Sequence, residues 1–149
     1  MEISLTQGKV TLIDDEDVGR VSKHKWCYDS SNGYPVSRIG GNRVRLHRFI
    51  LNNPTSKYVD HMNRDKLDNR KENLRLCNAS QNVRNRGVNK NNTSGYKGVI
   101  KFKSKWRAQF SLNYKFYDLG LYNTAQEAAV AYNKKVEEVH GSFAYFNKL

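Results

Sequence analysis

Residues 58–82 read YVDHMNRDKLDNRKENLRLCNASQN, and their reading decides the rest of the chain. Asn is a poor filler of helix or strand interiors, yet Asn69, Asn73, Asn78 and Asn82 all follow the adjacent pair Asp60-His61. Such a set suits a metal ion and a phosphate. Hydrolysis of a phosphodiester needs a water nucleophile, a base to deprotonate it, and positive charge on the phosphate and the leaving oxygen. A neutral His61 is a candidate base. The Asp60 carboxylate and the Asn82 amide oxygen are hard donors suited to Mg²⁺.

The local pattern predicts a strand over residues 58–62, a polar turn through NRDKLDNRKE, and a returning strand at Leu74, Arg75 and Leu76. A helix is expected from Asn78 to about Arg86, opened by Asn78 with Gln81 three residues on and stopped by Gly87. Neighbouring strand residues point to opposite faces, so Asp60 and His61 can serve one phosphate only if the strand end twists or bulges or the phosphate reaches round its edge; an irregularity is expected at that position. A unit this small buries little apolar surface and must lean on what precedes it. What precedes it reads as a β-rich platform. ISLTQGKVTLI alternates around a Gln7-Gly8 turn, Asp14–Asp17 marks a helix start or turn, and KWCY, YPVSRI and residues 43–46 are short strand candidates. LHRFIL reads as one short helix ending at the Asn52-Asn53-Pro54 break. His47 at its start reads as a packed, hydrogen-bonded residue before it reads as a catalyst.

The chain has 149 residues with 26 Lys and Arg against 14 Asp and Glu, a net charge of +12, so a polyanionic partner is expected. The excess is spread along the sequence: 14 basic and 10 acidic residues in 1–77, three and none in 78–93, nine and four in 94–149. No apolar run approaches membrane-spanning length and the first residues lack the pattern of a signal peptide. A soluble intracellular protein with no membrane partner is therefore expected. Cys27 and Cys77 are not in a C-x-x-C pair and read as reduced thiols.

Residues 87–94, GVNKNNTS, read as a basic linker; Arg84, Arg86 and Lys90 either follow a DNA groove or belong to a solvated tether. Beyond it GYKGVIKFK, KWRAQFSL and KFYDLGLY have strand chemistry. In the middle one Trp106, Ala108, Phe110 and Leu112 share a face, and Arg107, Gln109 and Ser111 the other. Thr124 with Glu127 forms a capping box opening a helix with an Ala128, Tyr132, Val136, Val139 stripe, ended by Gly141. Trp106 and Tyr132 read as core.

LHRFIL, VDHMNRDKLDNRKENLRL and NASQN together resemble the HNH endonuclease family, in the form found in phage and intron-encoded homing and nicking enzymes. The resemblance implies a ββα-metal fold over about residues 46–86, with His61 as general base, Asp60 and Asn82 as metal ligands, and Asn73 bonding backbone across the loop to hold the base. With Asn82 where other branches carry His, it implies Mg²⁺ or Mn²⁺ rather than zinc. Residues 95–149 resemble the plant ethylene-response-factor type of DNA-binding domain through Gly98-Val99, Trp106 with Ala108, Leu119-Gly120, the Glu127–Ala129 run, Ala131-Tyr132 and Asn147. That resemblance implies a sheet lying in the major groove, although the Arg and Trp residues of plant members are replaced on the groove face here.

The resulting expectation is an α+β protein: an HNH domain over residues 1–86, a linker over 87–94 and a DNA reader over 95–149. Its partner is double-stranded DNA, nicked or cut with Mg²⁺ or Mn²⁺. Arg107 and Gln109 are the candidate base readers, and Lys97, Lys101, Lys103, Lys105 and Lys115 the candidate phosphate contacts. Asn69 and Arg70 are either phosphate contacts or ordinary turn residues. One apparent site per chain implies nicking by a monomer, with double-strand cleavage left to a weak homodimer or to two events. If phage-encoded, the protein works in the bacterial cytoplasm. The alternative is a non-catalytic DNA-binding regulator.

Overall fold

The computed structural model describes residues 1–55, 57–113 and 115–149. It divides into two compact units, Met1–Ala79 and Ser80–Leu149. Helices and short antiparallel sheets are mixed in an α+β arrangement.

The first unit is built from small sheets around one core. Strands β1 (Glu2–Ser4) and β2 (Val10–Leu12) pair as a hairpin turned at Gln7 and Gly8, both with positive φ. The acidic run forms a 3-10 turn over Asp15–Asp17 that leads into α1 (Val18–Val21). A meander of β3 (Cys27–Asp29), β4 (Tyr34–Ile39) and β5 (Asn42–Arg45) runs directly into α2 (Leu46–Ile50). Strands β6 (Tyr58–His61) and β7 (Leu74–Cys77) form the last ladder of this unit. Ile13, Val21, Trp26, Leu46, Ile50, Val59 and Leu74 form one buried cluster, so the platform and the 58–77 hairpin share a core. The helix expected over 78–86 is shorter, α3 (Ala79–Arg84), and the division between the units falls at its first residue.

The second unit is a three-stranded antiparallel sheet in the order β10-β9-β8, from β8 (Val99–Phe102), β9 (Lys105–Leu112) and β10 (Lys115–Tyr122), backed by α4 (Ala125–His140). Val99, Ala108, Ala128 and Ala129 are buried in one cluster, and Phe110, Tyr132 and Val136 in another. A register shift between Asp118 and Gly120 leaves Leu119 as an extra residue, packed against both clusters. Part of the expected linker is tied down: Asn92 Nδ2 donates to the Tyr96 carbonyl at 3.0 Å and Ser94 Oγ to the Val99 carbonyl at 2.8 Å.

Helix α4 starts at the capping box read from the sequence. Glu127 N–H donates to Thr124 Oγ1 at 3.1 Å, and Glu127 Oε2 accepts from Thr124 N–H at 3.2 Å. Thr124→Ala is expected to destabilise the second unit by about 1 kcal/mol. The urea dependence of amide hydrogen exchange in α4 measures this, and Thr124→Ser should restore most of it.

Candidate active site

The β6–β7 ladder pairs Asp60 with Arg75 and His61 with Leu74 in unbroken register. The bulge expected at Asp60-His61 is therefore absent. The strand instead ends at His61, Arg64 N–H closes a turn onto its carbonyl at 3.0 Å, and both Asp60 and His61 are buried. Strand termination replaces a bulge here because the loop that follows is pinned at both ends. Met62 N–H donates to the Asn73 carbonyl at 2.8 Å and Asn63 N–H to Asn73 Oδ1 at 2.9 Å, while Asn73 Nδ2 donates to the Asp68 carbonyl at 2.8 Å.

Inside this loop Asn69 is completely buried. Its Nδ2 donates to Thr11 Oγ1 at 2.8 Å and to the Lys66 carbonyl at 3.1 Å, and its Oδ1 lies 3.2 Å from His61 Nε2. With both amide hydrogens engaged, Oδ1 can only accept, which assigns the proton of a neutral His61 to Nε2. Nδ1 is then the basic atom. Thr11 Oγ1 continues the chain by donating to the Leu67 carbonyl at 2.7 Å. Asn69 was a candidate phosphate contact; its burial removes it from solvent and makes it a prop for the imidazole. Arg70 is paired with Asp68 through Nε and Nη2, each at 2.9 Å, and with Glu72 at 2.7 Å, so its charge is compensated within the loop.

Burial lowers the His61 pKa, outweighing the opposite pull of Asn69 and Asp60, so the ring is neutral at physiological pH. Asp60 Oδ2 accepts from Arg75 Nε at 2.9 Å and Nη2 at 2.7 Å. Arg75 lies directly across the ladder and was not singled out from the sequence; its position opposite Asp60 in a two-stranded hairpin is the signal that was there to read.

His47, read from sequence as a packed residue, brings a second imidazole to the site. Its ring centroid lies 5.1 Å from that of His61 and 4.9 Å from Tyr34, it is 3% exposed, and its Nδ1 has no hydrogen-bond partner. Burial, then the charges of His61, Arg45 and Arg48, push its pKa down to about 3. The unfolded chain titrates near 6.5 and takes up the proton first, so this contribution to stability is complete above that pH and is lost as pH falls toward 3. Between pH 7 and pH 5 the loss is about 2 kcal/mol. The urea midpoint of the first unit should fall over that range, and His47→Gln should flatten the dependence.

In the second unit Arg107 and Gln109 lie on the sheet face away from α4, together with Lys105. Lys101 and Lys115 do not share that face. Lys101 is paired with Trp106 and lies 4.5 Å over its ring, and Lys115 is paired with Leu112, both on the helix side. Lys97 Nζ donates to the carbonyls of Arg84 at 2.7 Å and Arg86 at 2.6 Å. Arg86, Lys90 and Lys103 are exposed and Arg84 is half-buried.

The description HNH endonuclease belongs to the family model that matches residues 52–84. Over 136 residues the chain is 38% identical to the uncharacterized HNH endonuclease L560 of Acanthamoeba polyphaga mimivirus, covering 87% of this chain and 70% of that protein. The chain belongs to the HNH endonuclease family. This HNH endonuclease is also 32% identical over 95 residues to Protein 3.8 of Escherichia phage T7, covering 62% of the chain and 78% of that protein. No solved structure matches it. The family match spans Asp60, His61, Asn73 and Asn82, whereas Thr11 and His47 lie outside it.

Among the described residues of the HNH endonuclease no cluster of three or more His, Cys, Asp or Glu side chains is spaced to hold a metal. A hard cation needs few protein oxygens when water and phosphate complete its shell. Two hydrogen bonds from Arg75 reach Oδ2 of Asp60 and orient the carboxylate, an oxygen donor of the kind such a cation takes. Asn82 lies on α3, in the second unit.

Proposed function

We propose that this DNA endonuclease hydrolyses a phosphodiester bond with His61 as general base, Asp60 and Asn82 as ligands of Mg²⁺ or Mn²⁺, and Asn73 as the residue that holds the loop. The observation that carries the reading is the Asn69–His61 hydrogen bond, which leaves Nδ1 of a neutral, buried imidazole as the basic atom. His61 takes the proton of the attacking water at Nδ1. Asn69 holds the ring through Nε2, and Arg75 fixes the orientation of Asp60. The cation, when bound, neutralises charge on the phosphate and on the departing oxygen. Asn82 is assigned from its place in the matched motif.

The second unit serves as a DNA reader of the ethylene-response-factor type, with Arg107 and Gln109 toward the bases and Arg84, Arg86, Lys90, Lys103 and Lys105 toward phosphates. Holding duplex DNA on the same chain raises its local concentration at the catalytic residues. The monomer nicks at preferred sites in the manner of homing enzymes, and it works in the cytoplasm of the host cell, a reading supported by the similarity to a phage protein. No described helix is long and apolar enough to cross a membrane.

The test is incubation of supercoiled plasmid and phage genomic DNA with the intact chain in Mg²⁺, Mn²⁺ or EDTA. Nicked product in either metal, none in EDTA, and none from Asp60→Ala supports the reading. Cleavage that persists in EDTA overturns the metal assignment, and a folded chain that binds but never cuts DNA favours the regulator.

A further inference from the structure

The outward face of the β8–β9–β10 sheet combines exposed apolar side chains with a braced cation. Residues paired across an antiparallel ladder share a face, so Ile100, Arg107 and Leu121 stand side by side, with Phe102 opposite Lys105 and Phe116 opposite Ser111. Ile100, Phe102 and Leu121 are each 36–44% exposed and Phe116 is 76% exposed. The Arg107 guanidinium lies 4.0 Å from the Phe102 ring centroid, and its Nε lies 3.4 Å from Asp118 Oδ2. An arginine held from two directions presents its remaining N–H groups as a fixed fork.

Charge identifies the occupant. Residues 80–149 contain 12 Lys and Arg and 4 Asp and Glu. Glu127, Glu137 and Glu138 all lie on α4, behind the sheet, and Asp118 is paired with Arg107. The outward face itself carries Lys105 and Arg107 against Asp118, with Lys103 exposed in the β8–β9 turn, so it is net cationic, and DNA is the anion this enzyme family meets as substrate. The thymine C5 methyl is the apolar group on base edges in the major groove. A sheet enters that groove readily.

We infer that this face reads thymine-rich duplex DNA in the major groove, Ile100, Phe102, Leu121 and Phe116 contacting thymine methyls while Arg107 donates to O6 and N7 of a guanine among them. The inference rests on the reading of the second unit as a DNA binder and adds a substrate class to it. Arg–guanine pairing fixes the register and the methyl contacts supply the discrimination.

The experiment uses the intact chain in EDTA to select duplexes from a randomised library. The winning duplex is then synthesised with thymine or with uracil, which differ only by the methyl, and both are titrated by fluorescence anisotropy. Each buried methyl is worth about fourfold, so the uracil duplex should bind about sixteenfold more weakly if two methyls are buried, and more weakly still with each further one. In Ile100→Ala/Phe116→Ala, checked for fold by circular dichroism, the preference for the thymine duplex should shrink to what Phe102 and Leu121 still supply. Equal binding by the native chain overturns the methyl reading and leaves DNA binding standing. A dimer in sedimentation that the double variant abolishes, with unchanged DNA binding, makes the face a contact between copies and overturns it too. Failure to bind any duplex removes both this inference and the reading beneath it.

Discussion

Replacing His61 by Ala is expected to lower the rate of DNA cleavage by about 10²–10⁴-fold, the usual contribution of a positioned base, while duplex binding is kept. The ring is 4% exposed and occupies the end of β6, so its loss also opens a void. Unfolding must therefore be measured alongside activity. His61→Asn is the better-filled comparison, because its amide can still donate to Asn69 Oδ1 but has no basic nitrogen to offer. Both variants should be inactive with only the alanine markedly less stable. Single-turnover cleavage of plasmid in Mn²⁺ reads the rate, and undiminished cutting by a folded His61→Asn enzyme would place the base elsewhere, His47 being the nearest imidazole by ring contact.

The second large effect concerns Gly98. Its φ is +75°, and a Cβ added there would sit 2.2 Å from Cδ2 and 2.3 Å from Cε2 of Tyr132 and 2.5 Å from the Gln109 carbonyl oxygen. Tyr132 cannot swing away, since it is 4% exposed in the core under the sheet, and the Gln109 backbone is fixed by donating to the Gly98 carbonyl at 2.7 Å. Gly98→Ala combines a left-handed backbone penalty of about 1–2 kcal/mol with overpacking of about 1–3 kcal/mol. The sum, about 2–5 kcal/mol, is enough to unfold a unit of this size near physiological temperature. Gly95 supplies the control: its φ is +77° but nothing lies within 4 Å of an added Cβ, so Gly95→Ala bears the backbone penalty alone. Thermal melts by differential scanning calorimetry should separate the two variants clearly, and similar melting temperatures would mean that the Tyr132 contact relaxes freely.

Elements whose determinants are local are readable in the sequence. The Gln7-Gly8 turn, the Thr124–Glu127 capping box and the alternation from Trp106 to Leu112 each depend on residues a few positions apart. Asn69 is different. The partner that shows it to be a core residue is Thr11, 58 positions away, and a turn dense in Asp, Asn and Arg looks like solvent-exposed chain until that contact is known. His47 and His61 meet only because α2 and β6 pack on one core, which no spacing announces. The lysines of the second unit present the opposite case: period-two counting alone separates Lys101, beside Trp106, from Lys105, beside Phe102. Of the twist or bulge anticipated at Asp60-His61 the bulge is absent, and the strand ends there in a turn that reorients the chain without breaking a ladder.

The amino-terminal hairpin grips the residues around Asn69. Leu12 N–H donates to the Leu67 carbonyl and Asn69 N–H to the Leu12 carbonyl, both at 2.8 Å, through an isolated parallel bridge between Leu12 and Asp68. The recognisable motif is consequently not a portable cassette. A genetic exchange that transplanted only its own span would deliver the imidazole without its clasp, so functional shuffling among such genes has to carry β2 along or find a substitute for it.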